Sequence, residues 1–195
     1  MLPFTFIRFF YAPWLESQAK SRTPRELPAT AHNHIIITSF EPISASLIKK
    51  MKRYDFEYVI AVHDMQRATE LADMNYKIVV GNLDKPETYR NLRIEKAALV
   101  VVNNNDILNT NIVATLREVS ESVPVVTSAD VYDSVDILEL AGATHVFQFA
   151  SMLGVTMAQH AIGIAAQTSM ASGVGKVHIA NAYAAHTPFE GKKLA

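Results

Sequence analysis

His34-Ile-Ile-Ile-Thr-Ser-Phe-Glu-Pro-Ile-Ser-Ala-Ser-Leu47 sets strand-like residues His34 to Ile37 before a short turn, and then a helical pattern beginning near Ile43. A strand, a tight turn and a helix in that order form the first βα unit of a dinucleotide-binding fold. In such a turn the pattern G-x-G-x-x-G supplies three positions without a Cβ: for the tight turn, for close approach of the backbone to pyrophosphate, and for helix packing. Here those positions hold Ser39, Glu41 and Ser44, with Phe40 between the first two. A carboxylate at the helix N-terminus, where phosphate would sit, repels the anion that the turn otherwise cradles. The stretch therefore implies a nucleotide-type fold with a degenerate phosphate cradle.

Outward from this stretch, strand and helix patterns alternate. The helix carries Ile43, Leu47, Ile48 and Met51 at helical spacing and ends near Arg53. Glu57 to Val62 reads as a buried strand, followed by His63-Asp64 and a helix from about Met65 to Met74 that Asp64 can cap. Lys77 to Val80 is a third strand stopping at Gly81-Asn82, and Lys85-Pro86 opens a short helix. Ala97 to Val102 is a fourth strand, closed by Asn103, Asn104, Asn105 and Asp106; a helix runs from Ile107 to about Ser120. Pro124 to Thr127, a helix over Val131 to Leu140, and a strand over His145 to Phe149 complete the alternation. The pattern predicts an α/β fold: a doubly wound, mostly parallel, six-stranded Rossmann-like sheet.

Both flanks differ from this body. Ser151 to Ser169 is Ala- and Met-rich and reads as a C-terminal crossover helix, with Ala-Ser-Gly-Val-Gly as a breaker and strand character over Lys176 to Ala182. Upstream, Glu16 to Asn33 is polar, contains Pro24 and Pro28, and reads as a linker. Met1 to Leu15 is apolar and aromatic, too short to span a bilayer and without a cleavage motif. Its aromatics precede Lys20, Arg22 and Arg25, as at the cytoplasmic end of a membrane helix; an arm packed on its own domain or on a dimer partner fits equally.

The 195 residues suffice for one good-sized domain with appendages. With 18 Lys and Arg against 19 Asp and Glu there is no basic field, which argues against nucleic acid as partner. The absence of cysteine excludes disulfides, thiolate metal sites and a cysteine nucleophile.

Three further stretches carry a resemblance: Val79-Val-Gly-Asn-Leu-Asp-Lys-Pro-Glu-Thr-Tyr89, Ala98 to Asn103 with Asp106 and Asn109-Thr-Asn-Ile112, and Asp133 to Ala143. With His34 to about Gly163 they resemble the RCK family (regulator of conductance of potassium), also called Trk-type N-terminal domains. These are cytoplasmic gating modules of prokaryotic potassium channels and uptake systems. Ile179 to Leu194 is similar to the opening of the family's C-terminal regulatory domain, and the aromatic N-terminus resembles the last turns of a pore-lining helix. The resemblance implies four segments: 1–33 membrane-proximal segment and linker, 34–150 Rossmann-like domain, 151–173 crossover and dimerisation helix, and 174–195 the start of a C-terminal domain within which the chain stops.

Family members often bind NAD(H), ATP or ADP at the strand ends, and some bind divalent cations at acidic sites between subunits. Carried over by position, the ligand residues would be Ser39, Phe40, Glu41, Ser44, Val62, His63, Gly81, Asn82, Asn103 and Asp106. Val62 stands where an acid should hold the ribose hydroxyls, and an isopropyl group leaves those hydroxyls without partners. This argues against normal NAD binding, with ATP, ADP or a divalent cation as the other candidates; Glu41 and Asp106, if close, would offer a cation site. His63 beside Asp64 reads as a solvated strand end or half of a metal site, and His32 and His34 show no evident partner. The polar loop from Asn103 to Asp106 can bind a ligand or cap the next helix. Met152, Leu153, Met157 and Ile162 read as packing residues for a partner subunit or the sheet.

No catalytic set emerges. The expectation is a non-enzymatic gating domain in the cytoplasm, part of an inner-membrane protein and assembled as dimers below a tetrameric pore. The alternatives are a soluble accessory subunit of a potassium-uptake system and an NAD-dependent oxidoreductase; the latter requires the glycine turn and ribose acid that are missing.

Overall fold

The computed structural model describes residues 23–161, 168–172 and 175–179. The aromatic run Met1 to Leu15 and most of the expected C-terminal domain opening lie outside them. The chain divides into two compact units between Gln148 and Phe149.

In the first unit, β1 (Ile35–Ile37), β2 (Tyr58–Val62), β3 (Ile78–Val80), β4 (Leu99–Val102), β5 (Val125–Ser128) and β6 (His145–Phe147) alternate with α1 (Pro42–Arg53), α2 (Met65–Asp73), α3 (Pro86–Asn91), α4 (Asp106–Arg117) and α5 (Ser134–Leu140). A short 3-10 turn, Ile94–Lys96, precedes β4. The strands form one sheet in the order β3-β2-β1-β4-β5-β6, and every pairing is parallel. Ile36 sits between Val59 and Val100, so the first strand in sequence is central in space. The expected α/β doubly wound sheet is present, with strand and helix ends displaced by at most three residues from the sequence reading.

Strands buried on both faces read as unbroken Ile and Val runs, because neither face can be left polar. Alternate side chains then divide the core in two. Ile35, Ile37, Ile60 and Val80 meet Ile48 and Met51 of α1 and Ala68 and Leu71 of α2. Ile36, Val59, Val100 and Val125 meet Tyr89 and Leu92 around α3 and Ile112 and Leu116 of α4.

Four helices stop on a residue in the left-handed region: Asp55, Asn75, Arg93 and Gly142. After α2, Asn75 N–H donates to the Ala72 carbonyl at 2.9 Å and Tyr76 N–H to that of Leu71 at 3.0 Å, the paired bonds that close a helix on such a residue. Asp64 caps α2 as expected, accepting from the Arg67 amide at 2.7 Å.

The segment read as a linker is tied down where it is described. The Val80 amide donates to the Pro24 carbonyl at 2.8 Å, Leu27 N–H to Asn91 at 3.0 Å, and Asn33 N–H to Lys96 at 2.8 Å. Pro24 thereby lies against the outer edge of β3, and the chain from Leu27 to Asn33 leads to the starting ends of the strands. Prolines lack a donor, but their carbonyls remain strong acceptors.

In the second unit, α6 (Phe149–Ala161) is followed by β7 (Thr168–Ser172) and β8 (Gly175–Ile179), paired antiparallel. Of the helix expected over Ser151 to Ser169, the part to Ala161 is helix and 162–167 lie outside the described residues, whereas Thr168 and Ser169 belong to a strand. Among the described residues no helix is long and apolar enough to cross a membrane.

Candidate functional site: a crevice at the switch in strand order

The chain leaves β1 toward β2 on one side, while β4 lies on the other, so the loops after β1 and β4 diverge. Such a reversal opens a crevice at the carboxyl ends of the strands, where ligands of open α/β sheets bind. A cavity of about 630 Å³ lies here, lined by Ser39, Glu41, Pro42 and Ile43 after β1, by Asn103, Asn104, Asn105 and Leu108 after β4, and by Asp130 after β5.

Its floor is a hydrogen-bond network centred on Asn109, which is fully buried. The Asn109 carbonyl oxygen accepts from the Asn104 amide at 2.8 Å. Its NH₂ donates to the Asn104 carbonyl at 3.1 Å and to the Ser128 carbonyl at 2.8 Å. Asn104 in turn donates its side-chain amide to the Thr38 hydroxyl at 2.9 Å, tying the loop after β4 to the end of β1. A buried amide with every polar atom engaged fixes one loop geometry, since any other arrangement strands a polar group.

The N-terminus of α1 faces this crevice without an anion cradle. Glu41 is the N-cap residue, its side chain makes no capping bond, and Pro42 follows at the first helical turn, removing one N–H donor. The Ser39 and Ser44 hydroxyls lie 3.5 Å apart, with Ser44 buried. Among the described residues no lysine or arginine lines the cavity, whereas Glu41 and Asp130 do. The arrangement offers amides and hydroxyls to neutral polar groups and electrostatic opposition to phosphate.

Of the ten candidate residues, the structure brings Ser39, Glu41 and Asn103 into the cavity wall. Phe40 turns away: its ring meets Tyr76 edge-on at 4.5 Å, with the Arg67 guanidinium 5.8 Å from it. Val62 belongs to the core on the α1 and α2 face, and His63 is exposed at the end of β2. Gly81 is explained by packing: a Cβ there would lie 2.4 Å from Cγ2 of Thr88, whose hydroxyl donates to the Asn82 carbonyl at 2.6 Å. Asn82 itself accepts from the Asp84 amide at 3.0 Å, forming the turn after β3.

Asp106 serves structure. Asn105 is the cap of α4, accepting from Leu108 N–H at 3.0 Å; Asp106 instead accepts from the amides of Asp130 at 2.7 Å and Val131 at 3.2 Å. Burial pushes its carboxyl up, but the bonds from Ser134 and from those two amides outweigh burial and hold it below the usual carboxylate range. Asp106 does not line the cavity whose wall holds Glu41, and among the described residues no group of three His, Asp or Glu could hold a metal. A carboxyl with a lowered folded pKa contributes stability above its unfolded pKa and loses it as pH falls through the folded value. The stability difference between the wild type and Asp106→Asn is therefore expected to be about 1 kcal/mol at neutral pH and to shrink below about pH 4, read by urea melts at each pH.

Leu108, Asp130 and the hub Asn109 join the site only through the fold. Asn109 stands one turn into a helix, where its spacing from Asn105 looks like an ordinary surface position.

The fold is shared with solved structures. The chain is similar to the GsuK structure bound to ADP, with 28% identity over 81% of this chain and 42% of that one and a TM-score of 0.71. It is also similar to the GsuK channel bound to NAD, with 29% identity over 87% of this chain and 30% of that one, TM-score 0.69. The TrkA-N domain of the inner membrane protein ybaL from Escherichia coli shares the fold, at 20% identity over 68% of this chain and 98% of that one, TM-score 0.62. The chain spans less than half the length of the GsuK chains it matches. None of the curated proteins compared with the chain matches it. The family model described as the TrkA-N domain matches residues 35–149, from the first strand of the sheet to just past the sixth. On that match, which covers more than half of its length, the chain belongs to the TrkA-N family, an N-terminal domain of the RCK and Trk type.

Proposed function

We propose that this chain is the cytoplasmic regulatory domain of a prokaryotic potassium channel, acting by conformational coupling and not by chemistry. The observation that carries the reading is its likeness over most of its length to GsuK chains described as a channel and as bound to NAD or ADP. The same likeness to chains of a channel supports a non-enzymatic role. In this mechanism paired domains change their mutual angle, and the segment ahead of β1 transmits that change to a pore. A ligand shifts the balance only by binding one arrangement better than the other, typically by about 1 to 3 kcal/mol.

The same reading extends to the ligand. The crevice is that of a nucleotide site in position, but Glu41 and Asp130 replace its phosphate cradle with negative charge. Wild-type protein is expected to bind ADP and NAD⁺ weakly, and Glu41→Gly to bind ADP about tenfold tighter, a difference of about 1.4 kcal/mol, measured by calorimetry. Tight NAD⁺ binding by the wild type would overturn the degenerate cradle and leave the gating role standing. The gating role is tested by rubidium flux into liposomes carrying the full-length gene product. Flux that responds to Glu41→Gly with ADP supports it, and a gene product that conducts no potassium or rubidium sinks it.

A further inference from the structure

The helix whose N-terminus repels phosphate carries positive charge farther along. Ala45, Ile48, Lys49 and Lys52 of α1 stand at positions i, i+3, i+4 and i+7, which share one side of a helix. With Ser46 beside them and Tyr76 from the turn between α2 and β3, they line a cavity of about 380 Å³, within the roughly 300–1,000 Å³ of small-molecule sites. It shares no residue with the crevice at the strand ends.

The two lysines are exposed, and no aspartate or glutamate lines the cavity among the described residues. The ion pairs there join Arg67 to Glu70, Lys77 to Glu57 and Arg90 to Glu87, so neither Lys49 nor Lys52 has a described carboxylate as partner. What Lys52 has is aromatic: its Nζ lies 5.5 Å from the centroid of the Tyr58 ring and 5.4 Å from that of Tyr76. A ring face attracts a cation through its quadrupole but brings no net charge, so the ammonium is positioned and stays positive, with N–H donors to offer.

Cations in the last turn of α1, namely Lys50, Lys52 and Arg53, also complement the helix dipole. The dipole asks for no cavity, no hydroxyl and no ring, and here all three accompany the charge. Lys49 and Lys52 supply attraction for an anion, the Ser46 hydroxyl a donor for one of its oxygens, and Ile48 with Tyr76 an apolar surface for whatever the anion is attached to. A carboxylate monoanion leaves one ammonium uncompensated, whereas a phosphate monoester carries about −1.5 to −2 near pH 7 and matches the two.

We propose that this cavity on the side of α1 is a second ligand site, for a phosphate group held by Lys49 and Lys52 and borne by a small molecule or by a lipid headgroup. Two ammonium groups without a carboxylate partner in the wall of one cavity are the observation that selects an anion.

In ¹H–¹⁵N spectra of the full chain at low salt, inorganic phosphate is expected to cause saturable shifts at Ser46, Lys49, Lys52 and Tyr76, which chloride at the same ionic strength does not reproduce. The double variant Lys49→Gln/Lys52→Gln, changed only at exposed positions, is expected to bind about tenfold more weakly or worse, and Lys49→Arg/Lys52→Arg to keep most of the affinity. Two further probes separate the sources. Phenyl phosphate binding more tightly than inorganic phosphate assigns the site to a small organic phosphate. Co-sedimentation with phosphatidylcholine vesicles containing phosphatidic acid, absent with phosphatidylcholine alone and lost in the Gln variant, assigns it to a headgroup. No saturable shifts, the same shifts with chloride, shifts at Asn103 to Asn105 in their place, or unchanged affinity in the Gln variant would overturn the site.

Discussion

Replacing Asn109 with alanine is expected to lower the unfolding free energy by about 3 kcal/mol or more. The side chain is fully buried, and its loss strands three groups: the Asn104 amide, the Asn104 carbonyl and the Ser128 carbonyl. Each buried polar group left unpaired costs about 1–3 kcal/mol, and some cost is recovered where the loop can open to water. The change should appear as a lower urea midpoint at constant slope, because the exposed surface on unfolding is unchanged. Amide resonances of Asn103 to Asn105 should broaden or move together. Asn109→Asp keeps an acceptor for the Asn104 amide but loses both donors and buries a charge, so it is expected to be worse than alanine. A loss under about 1 kcal/mol for Asn109→Ala would mean that Thr38 and Asn105 hold the loop unaided.

Gly142→Ala is expected to cost about as much, for a different reason. Gly142 ends α5 at a φ of +109°, outside the conformations that side chains tolerate, and a Cβ would meet the Arg117 side chain at 2.8 Å. That arginine is the tie between the end of α4 and the turn before β6. Nε and Nη2 donate to the Gly142 carbonyl at 2.9 and 2.7 Å, while Nη1 donates to the carbonyls of Ser120 at 3.0 Å and Val123 at 2.8 Å. Backbone strain of about 1–3 kcal/mol and displacement of this guanidinium together should lower stability by about 3 kcal/mol. Arg117→Met should cost about 2–3 kcal/mol, and the double variant less than the sum by about 1 kcal/mol or more, because part of each effect is the same contact. Strict additivity in a double-mutant cycle would show that the backbone strain acts alone.

The sheet was legible in the sequence because its strands are fully buried. Ile35 to Ile37 and Val59 to Val62 carry no polar side chain that would blur the run, and Asp64 announced the helix after it by a local bond. The crevice was half legible. The turn containing Ser39 and Glu41 gave its location, since loop and helix N-terminus are contiguous in sequence. Asp130 and Asn109 were not legible as site residues, because strand order, not sequence, brings β5 beside β4. The same holds for the cavity on the side of α1, whose wall residue Tyr76 lies far along the chain from Lys49 and Lys52. Thr168 and Ser169 were misread as the end of a helix, and Ala171 and Ser172 as its breaker, for a local reason. Thr-Ser-Met-Ala-Ser has neither a strong apolar alternation nor a helical stripe, and the following Gly-Val-Gly serves a breaker and a hairpin loop equally well.

The central place of the first strand also bears on how the chain is made. A ribosome delivers β1, β2 and β3 early, and these can pair at once through Ile36 and Val59. The other edge of β1 has to wait for Leu99 to Val101, which emerge much later. During that interval three consecutive isoleucines present an open edge that any extended apolar segment could join. The nascent chain is thus most vulnerable to mispairing after Val80 has left the exit tunnel and before Val102 has, and a chaperone or a pause in translation would have its greatest effect within that window.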